Sequence, residues 1–166
     1  MIQKAERIIE AYQKVKPAGC GVIAMDGRAA AGKTTLAEEL AVTLGGAVVH
    51  MDDFFLPGEL RTPERLAAPG GNVHAERFVE EVLPYLRRGE AFRYRRFDCH
   101  RMDYNGWVEI PTVPVIIVEG AYSQYPQFGH YADLTAFCDI TPEEQKRRIT
   151  ARNGEELVRV RDVRPL

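Results

Sequence analysis

Between Gly27 and Thr35 the chain reads GRAAAGKTT: a glycine, four residues, a second glycine, a lysine and a hydroxyl residue. Small residues in such a run let successive backbone N–H groups curl around a phosphate, and a helix starting just after them adds partial positive charge. Lysine at the seventh position reaches the β- and γ-phosphates, and the hydroxyl that follows it ligates Mg²⁺. The motif predicts that Gly27, Arg28, Ala29, Ala30, Ala31, Gly32, Lys33, Thr34 and Thr35 hold a nucleoside triphosphate with Mg²⁺. No Asp-x-x-Gly follows the later apolar run VPVIIV and no Asn-Lys-x-Asp occurs, so a guanine-reading switch is disfavoured. An LSGG-type transporter signature is also missing, and the chain is short for a motor.

Acids form the second group. HMDDFFLP places Asp52 and Asp53 side by side before two phenylalanines, and Glu119 follows VIIV. Each pattern sits at the end of a short apolar run, and ligands of open α/β sheets gather at the carboxyl ends of strands. Read as a strand end, HMDD would turn Asp52 and Asp53 to opposite sides, so that the two carboxylates divide the work. Basic residues form the third group, in KRRITAR. Phosphoryl transfer needs cations on developing charge and a positioned nucleophile more than covalent chemistry.

The elements that must carry these groups are legible from period. Ile2, Ala5, Ile8, Ile9, Tyr12 and Val15 recur at helical spacing and predict an amphipathic helix ending before Pro17. CGVIAM has the continuous apolar character of a strand buried on both faces. KTTLAEELAVTLGG predicts a helix closed by its glycine pair, and AVVHM a second strand. Residues 54–73 read mostly as loop, and HAERFVEEVLPYLRRG as a helix kinked or broken at Pro84. FRYRRFDCH and GWVEI predict a hairpin around Asn105-Gly106. VPVIIVEG and LTAFCDI read as central strands, and TPEEQKRRITARNG as a helix opened by Thr-Pro. Strands alternating with helices predict one three-layer α/β domain with a mostly parallel sheet.

Totals bound the partners. The 166 residues suffice for one domain, and the formal net charge of −2 offers no phosphate-backbone footprint, so nucleic acid is not expected as a partner. No run approaches a membrane span and MIQKAERIIEAYQKVK is no signal peptide, which predicts a cytoplasmic protein without a membrane partner. The three cysteines are widely spaced and read as reduced thiols. His50 and His130 read as structural or surface histidines, and oligomeric state is left open.

Taken in order, GRAAAGKTTLA, HMDDFFLP, VIIVEGAY and DITPEEQKRRITARNG resemble the uridine kinase, phosphoribulokinase and nicotinamide riboside kinase group of P-loop kinases, from about Gly21 to Gly154. The resemblance implies transfer of the γ-phosphate of ATP to a small-molecule alcohol. A nucleoside 5′-hydroxyl such as that of uridine or cytidine is the leading acceptor. A sugar phosphate, nicotinamide riboside or a pantothenate-like alcohol is the alternative, and a non-catalytic nucleotide-binding regulator is the rival from another class.

Residue by residue, the resemblance implies that Asp52 is the base at the acceptor hydroxyl and lies near the metal with Thr34 and Glu119. Arg147, Arg148 and Arg152, with Lys146 beside them, match lid positions that fold over the transferring phosphate, with Lys33 acting on the same group. On the acceptor side it implies Asn72, His74 and Arg77, although His74 stands where relatives carry an acid. Arg95, Arg96, Asp98 and His100 match a hairpin region near the base or sugar, and a charged hairpin surface explains them equally well. Asp53 supports the turn, the metal's water shell or the acceptor, and Phe55 walls the acceptor pocket or anchors the loop. Relatives continue past the lid with a strand and helix on the adenine side, whereas this sequence runs only to VRVRDVRPL, so adenine contacts are unassigned.

Overall fold

The structure, a computed structural model, describes residues 2–15, 17–27, 32–139, 142–151 and 159–165. Its centre is a five-stranded sheet built from β1 (Gly21–Gly27), β2 (Ala47–His50), β5 (Val115–Glu119), β6 (Leu134–Asp139) and β7 (Arg159–Pro165), in the order β2-β5-β1-β6-β7. The first four are parallel and β7 is antiparallel to β6. The sequence reading assigned no strand to VRVRDVR. A separate antiparallel hairpin is formed by β3 (Phe92–Asp98) and β4 (Asp103–Ile110).

Period-2 alternation sends the central strands into two cores. Ile23 and Met25 of β1 and Ile117 of β5 face α1 (Ile2–Gln13) and α2 (Lys33–Leu44), where they meet Ile8, Leu36 and Leu40. Val22 and Ala24 of β1 and Ile116 and Val118 of β5 point the other way, toward Phe54, Phe78, Tyr94 and Phe128. Strands covered on both faces have no polar positions to spare, which is why VIIV reads as unbroken apolar sequence. Sequence and structure agree here on a three-layer α/β architecture.

The break at Pro84 and the mostly loop character of 54–73 are as expected, and the hairpin turn lies elsewhere. The helix before Pro84 is α4 (Ala75–Glu81) and stops short of the proline, which begins a 3₁₀ turn at Leu83–Tyr85. Val82, two residues before the proline, leaves the helical region, and Pro84 sits in the first turn of the 3₁₀ segment, where its missing N–H costs nothing. In the hairpin the turn lies at 99–102 and not at Asn105-Gly106, which belong to β4. Gly106 uses its positive φ of 77° where the pairing register slips between Arg95 and Phe97, so the glycine serves an irregular strand. Residues 54–73 hold a short helix, α3 (Pro63–Ala67), whose Thr62 hydroxyl accepts from Arg65 N–H. The last helix, α5 (Pro142–Ala151), begins at Pro142, and its Thr141 cap lies outside the described residues. No described helix is long and apolar enough to cross a membrane.

Gly27 ends β1 with φ of 146°, and a Cβ there would lie 2.0 Å from the Cys138 carbonyl oxygen. Gly27→Ala is therefore expected to cost about 2 kcal/mol or more, from backbone strain and a clash with a neighbouring strand that cannot rotate away. Urea denaturation checks it: the midpoint should fall with the slope unchanged.

Candidate active site

β1 delivers Gly27 to the carboxyl edge of the sheet, and α2 starts where Gly32 takes a left-handed conformation, φ 81°. Arg28, Ala29, Ala30 and Ala31 lie outside the described residues, so the cradle is seen from its two ends. Lys33 is 9% exposed and its Nζ donates to the Gly27 carbonyl at 3.0 Å, which folds the lysine back toward the end of β1. Thr34 and Thr35 open to solvent at the helix N-terminus. Below them Asp26, which the sequence reading passed over, accepts from the backbone N–H of Gly27 at 2.7 Å, Tyr122 at 3.1 Å and Gln124 at 3.2 Å. One carboxylate thus ties the start of the loop to the segment after β5.

Parallel register explains the next cluster. His50 of β2 and Met25 of β1 both pair with Glu119 of β5, so β2 and β5 end level with each other and β1 runs two residues past them to Gly27. Glu119 is 2% exposed, and its Oε1 accepts from Thr34 Oγ1 at 3.2 Å and faces His50 Nδ1 at 2.6 Å. The hydrogen bond to Glu119 raises the His50 pKa, against an opposing effect of burial. Reading His50 as a plain structural or surface histidine therefore missed its place. The available signal was positional, since it closes the strand beside the one closed by Glu119. A hydroxyl with a buried carboxylate is a hard-oxygen donor set suited to Mg²⁺, which takes one or two protein ligands and completes its shell with water and phosphate. The residues present fit that ion, and Thr34 and Glu119 are the two that could hold it.

Asp52 and Asp53 do not sit on a strand end. β2 stops at His50 and the acids lie in a 3₁₀ turn, Met51–Phe54, so strand alternation does not separate them. They diverge nonetheless. Asp52 is exposed, and among the described residues nothing hydrogen-bonds its carboxylate. The protein around it, then the charge of Glu119, raise its pKa above the usual carboxylate range, while Lys33 pulls it down. Asp53 Oδ2 accepts from the Tyr94 hydroxyl at 2.8 Å, and Arg96 Nε lies 3.7 Å from Oδ1. Gly120, φ 133°, permits this arrangement, because a Cβ there would stand 2.7 Å from Met51 Cβ.

Acceptor-side candidates separate into two groups. Arg77 is 3% exposed and donates to the backbone carbonyls of Asp53 at 2.5 Å and Arg95 at 2.6 Å, with its guanidinium 4.2 Å from the Phe54 ring centroid. It is turned into the protein, which corrects its reading as an acceptor contact: its donors go to these carbonyls and to the Glu81 carboxylate at 3.3 Å. Asp98 accepts from the backbone N–H of His100 and Arg101, so both Asp98 and His100 belong to the hairpin tip, the charged-surface alternative. Asn72 is held by Arg61 at 3.2 Å on the surface. Phe55 bridges to Val73, stacks with Phe97 at 6.4 Å and lies under Arg61, joining the 51–57 segment to the hairpin. Arg96 remains half exposed beside Asp53.

His74 precedes α4 with its Nδ1 buried and, among the described residues, unpartnered, and burial lowers its pKa from the ordinary 6.5. In the unfolded chain the imidazole takes a proton first as pH falls, so the stability present above pH 6.5 is lost on acidification through the lower folded value. His74→Gln is expected to flatten that decline in urea midpoints measured from pH 7.5 to 5.5.

In α5, Arg147 is exposed and held by Glu144 at 2.6 Å, along the helix's own face. The Arg148 side chain and all of Arg152 lie outside the described residues. Lys146 is exposed.

No family model matches the chain. Among curated proteins it is 29% identical over 153 residues to the thymidylate kinase of Xanthomonas euvesicatoria pv. vesicatoria (strain 85-10), covering 84% of this chain and 64% of that protein. The chain thus spans less than two thirds of that relative. Among solved structures, a possible uridine kinase from Bacillus stearothermophilus superposes with a TM-score of 0.72 at 20% identity, covering 86% of this chain and 83% of that one. A proposed fructose transport system kinase from Silicibacter sp. TM1040 superposes with a TM-score of 0.71 at 25% identity, covering 89% and 80%. This is the P-loop kinase fold. Within it the neighbours belong to the uridine kinase-like group that GRAAAGKT and HMDDFFLP already resembled. A P-loop kinase fold opens its crevice at the carboxyl ends of the parallel strands, where His50 and Glu119 end and β1 runs on to Gly27.

Proposed function

We propose that the chain is an ATP- and Mg²⁺-dependent kinase that phosphorylates an alcohol, most simply the 5′-hydroxyl of a nucleoside. The observation that carries this reading is the Asp52 carboxylate. It stands open, without a hydrogen-bond partner among the described residues, within reach of the Lys33 and Glu119 charges. An alcohol must lose its proton as it attacks, and a carboxylate of raised proton affinity takes it more readily. Lys33 counters charge on the transferring phosphoryl group, and Thr34 and Glu119 hold the metal. Mg²⁺, when bound, neutralises the β- and γ-phosphate oxygens. Arg147, Arg148 and Arg152 act as the lid over the same group.

A phosphate acceptor is the second reading, because the curated relative is a thymidylate kinase. It is disfavoured by charge: such an acceptor is already anionic and would approach Asp52, Asp53 and Glu119. Reduced Cys20, Cys99 and Cys138 support a cytoplasmic setting.

The deciding experiment is an acceptor panel with ATP and Mg²⁺, followed by ADP release. Uridine, cytidine, nicotinamide riboside, pantothenate, a sugar phosphate and thymidylate form the panel. Saturable turnover of a nucleoside with none of thymidylate is expected. Turnover of thymidylate would transfer the site to the second reading, and ATP binding without any acceptor would leave a nucleotide-binding regulator.

A further inference from the structure

The paired acids divide their labour in a way that neither the motif nor the fold assigns. We infer that Asp53 is a positioning residue, which with Tyr94 and Arg77 clamps the Met51–Phe54 turn to the β3–β4 hairpin and so fixes where Asp52 stands. This rests on the kinase reading for its catalytic consequence, and on geometry alone for the clamp.

Tyr94 is fully buried in β3, so its hydroxyl has no water to turn to and must find protein partners. It donates to Asp53 Oδ2 at 2.8 Å and accepts from the His50 backbone N–H at 3.4 Å, gripping the turn at its entrance and at its second acid. Arg77, from α4, grips the same turn through the Asp53 carbonyl and reaches the hairpin through the Arg95 carbonyl. Phe54, the last residue of the turn, lies against the Tyr94 ring at 5.0 Å and the Phe78 ring at 5.2 Å. Arg96 approaches the remaining Asp53 oxygen. Every polar group of Asp53 named here points at scaffold, and Asp52 is the residue left over for an acceptor. Holding a reacting group within a fraction of an ångström matters, since a misplacement of ~1 Å can cost on the order of a hundredfold in rate. The hairpin is thereby mechanically joined to the base, and a displacement of β3 moves Asp52.

Tyr94→Phe removes one oxygen and keeps the ring. Two readouts test it together. Hydrogen exchange without acceptor should show faster exchange at the amides of 51–55, with α2 unchanged. Steady-state kinetics should show kcat reduced roughly tenfold, with KM for ATP and acceptor little changed. Asp53→Asn, which can still accept from Tyr94, should retain more activity than Asp53→Ala. Unchanged exchange at 51–55 in Tyr94→Phe overturns the clamp. So does an Asp53→Asn enzyme whose acceptor KM rises at constant kcat, or whose Mg²⁺ requirement shifts, since either makes Asp53 a ligand contact. If the wild-type protein turns over no acceptor, the kinase reading fails, and the exchange measurement still decides the clamp.

Discussion

Asp52→Asn should bind ATP within about twofold of the unaltered protein while transfer falls by roughly a hundredfold to ten-thousandfold, the range that a general base contributes. The substitution is nearly isosteric and leaves the P-loop untouched. It removes a negative charge near Lys33 and Glu119, so nucleotide affinity has no reason to drop. Asparagine accepts a hydrogen bond from an alcohol but cannot take its proton. The loss should therefore appear in kcat, with acceptor KM nearly constant. Asp52 makes no hydrogen bond among the described residues, so the fold loses no partner and the urea midpoint should hold. Rapid-quench measurement of ADP formation, beside equilibrium ATP binding, checks both halves. Near-normal turnover would exclude Asp52 as the base and leave it as a spectator at the mouth of the crevice.

Residue type carries far in this chain where the physics is local. GRAAAGKT has few structural solutions once an apolar strand precedes it and an amphipathic helix follows, and VIIV can only be a strand buried on both faces. Those patterns brought the fold into view and marked where a phosphate cradle would lie. The acceptor side was less legible because its geometry depends on which carbonyls a side chain meets. Arg77 looks like an acceptor contact in sequence, and it becomes scaffold because α4 presents it to carbonyls of both the Met51–Phe54 turn and the hairpin. His50 looks incidental until register places it opposite Glu119. The division between Asp52 and Asp53 was anticipated, but for the wrong reason: a 3₁₀ turn and a buried tyrosine separate them, not strand alternation.

Lys33→Met should abolish ATP-dependent stabilisation and lower transfer by about a hundredfold or more, the scale of losing one electrostatic contact to the transition state. Methionine keeps an unbranched apolar stem in a site that is almost closed to solvent, so packing against α2 is largely preserved. What disappears is the ammonium donating to the Gly27 carbonyl. That hydrogen bond is worth about 1 kcal/mol, and removing a poorly hydrated charge offsets part of it. The unliganded protein should therefore unfold within roughly 1 kcal/mol of the unaltered chain, unlike Gly27→Ala, which damages the sheet edge itself. Ligand linkage separates the two. At a nucleotide concentration of ~100 times Kd the unaltered protein gains about 2.7 kcal/mol, and a variant whose affinity has collapsed gains almost none. Thermal unfolding with and without Mg-ATP measures that difference without any acceptor. Equal stabilisation of variant and parent would remove Lys33 from the phosphate site, and with it the assignment of GRAAAGKT as the cradle.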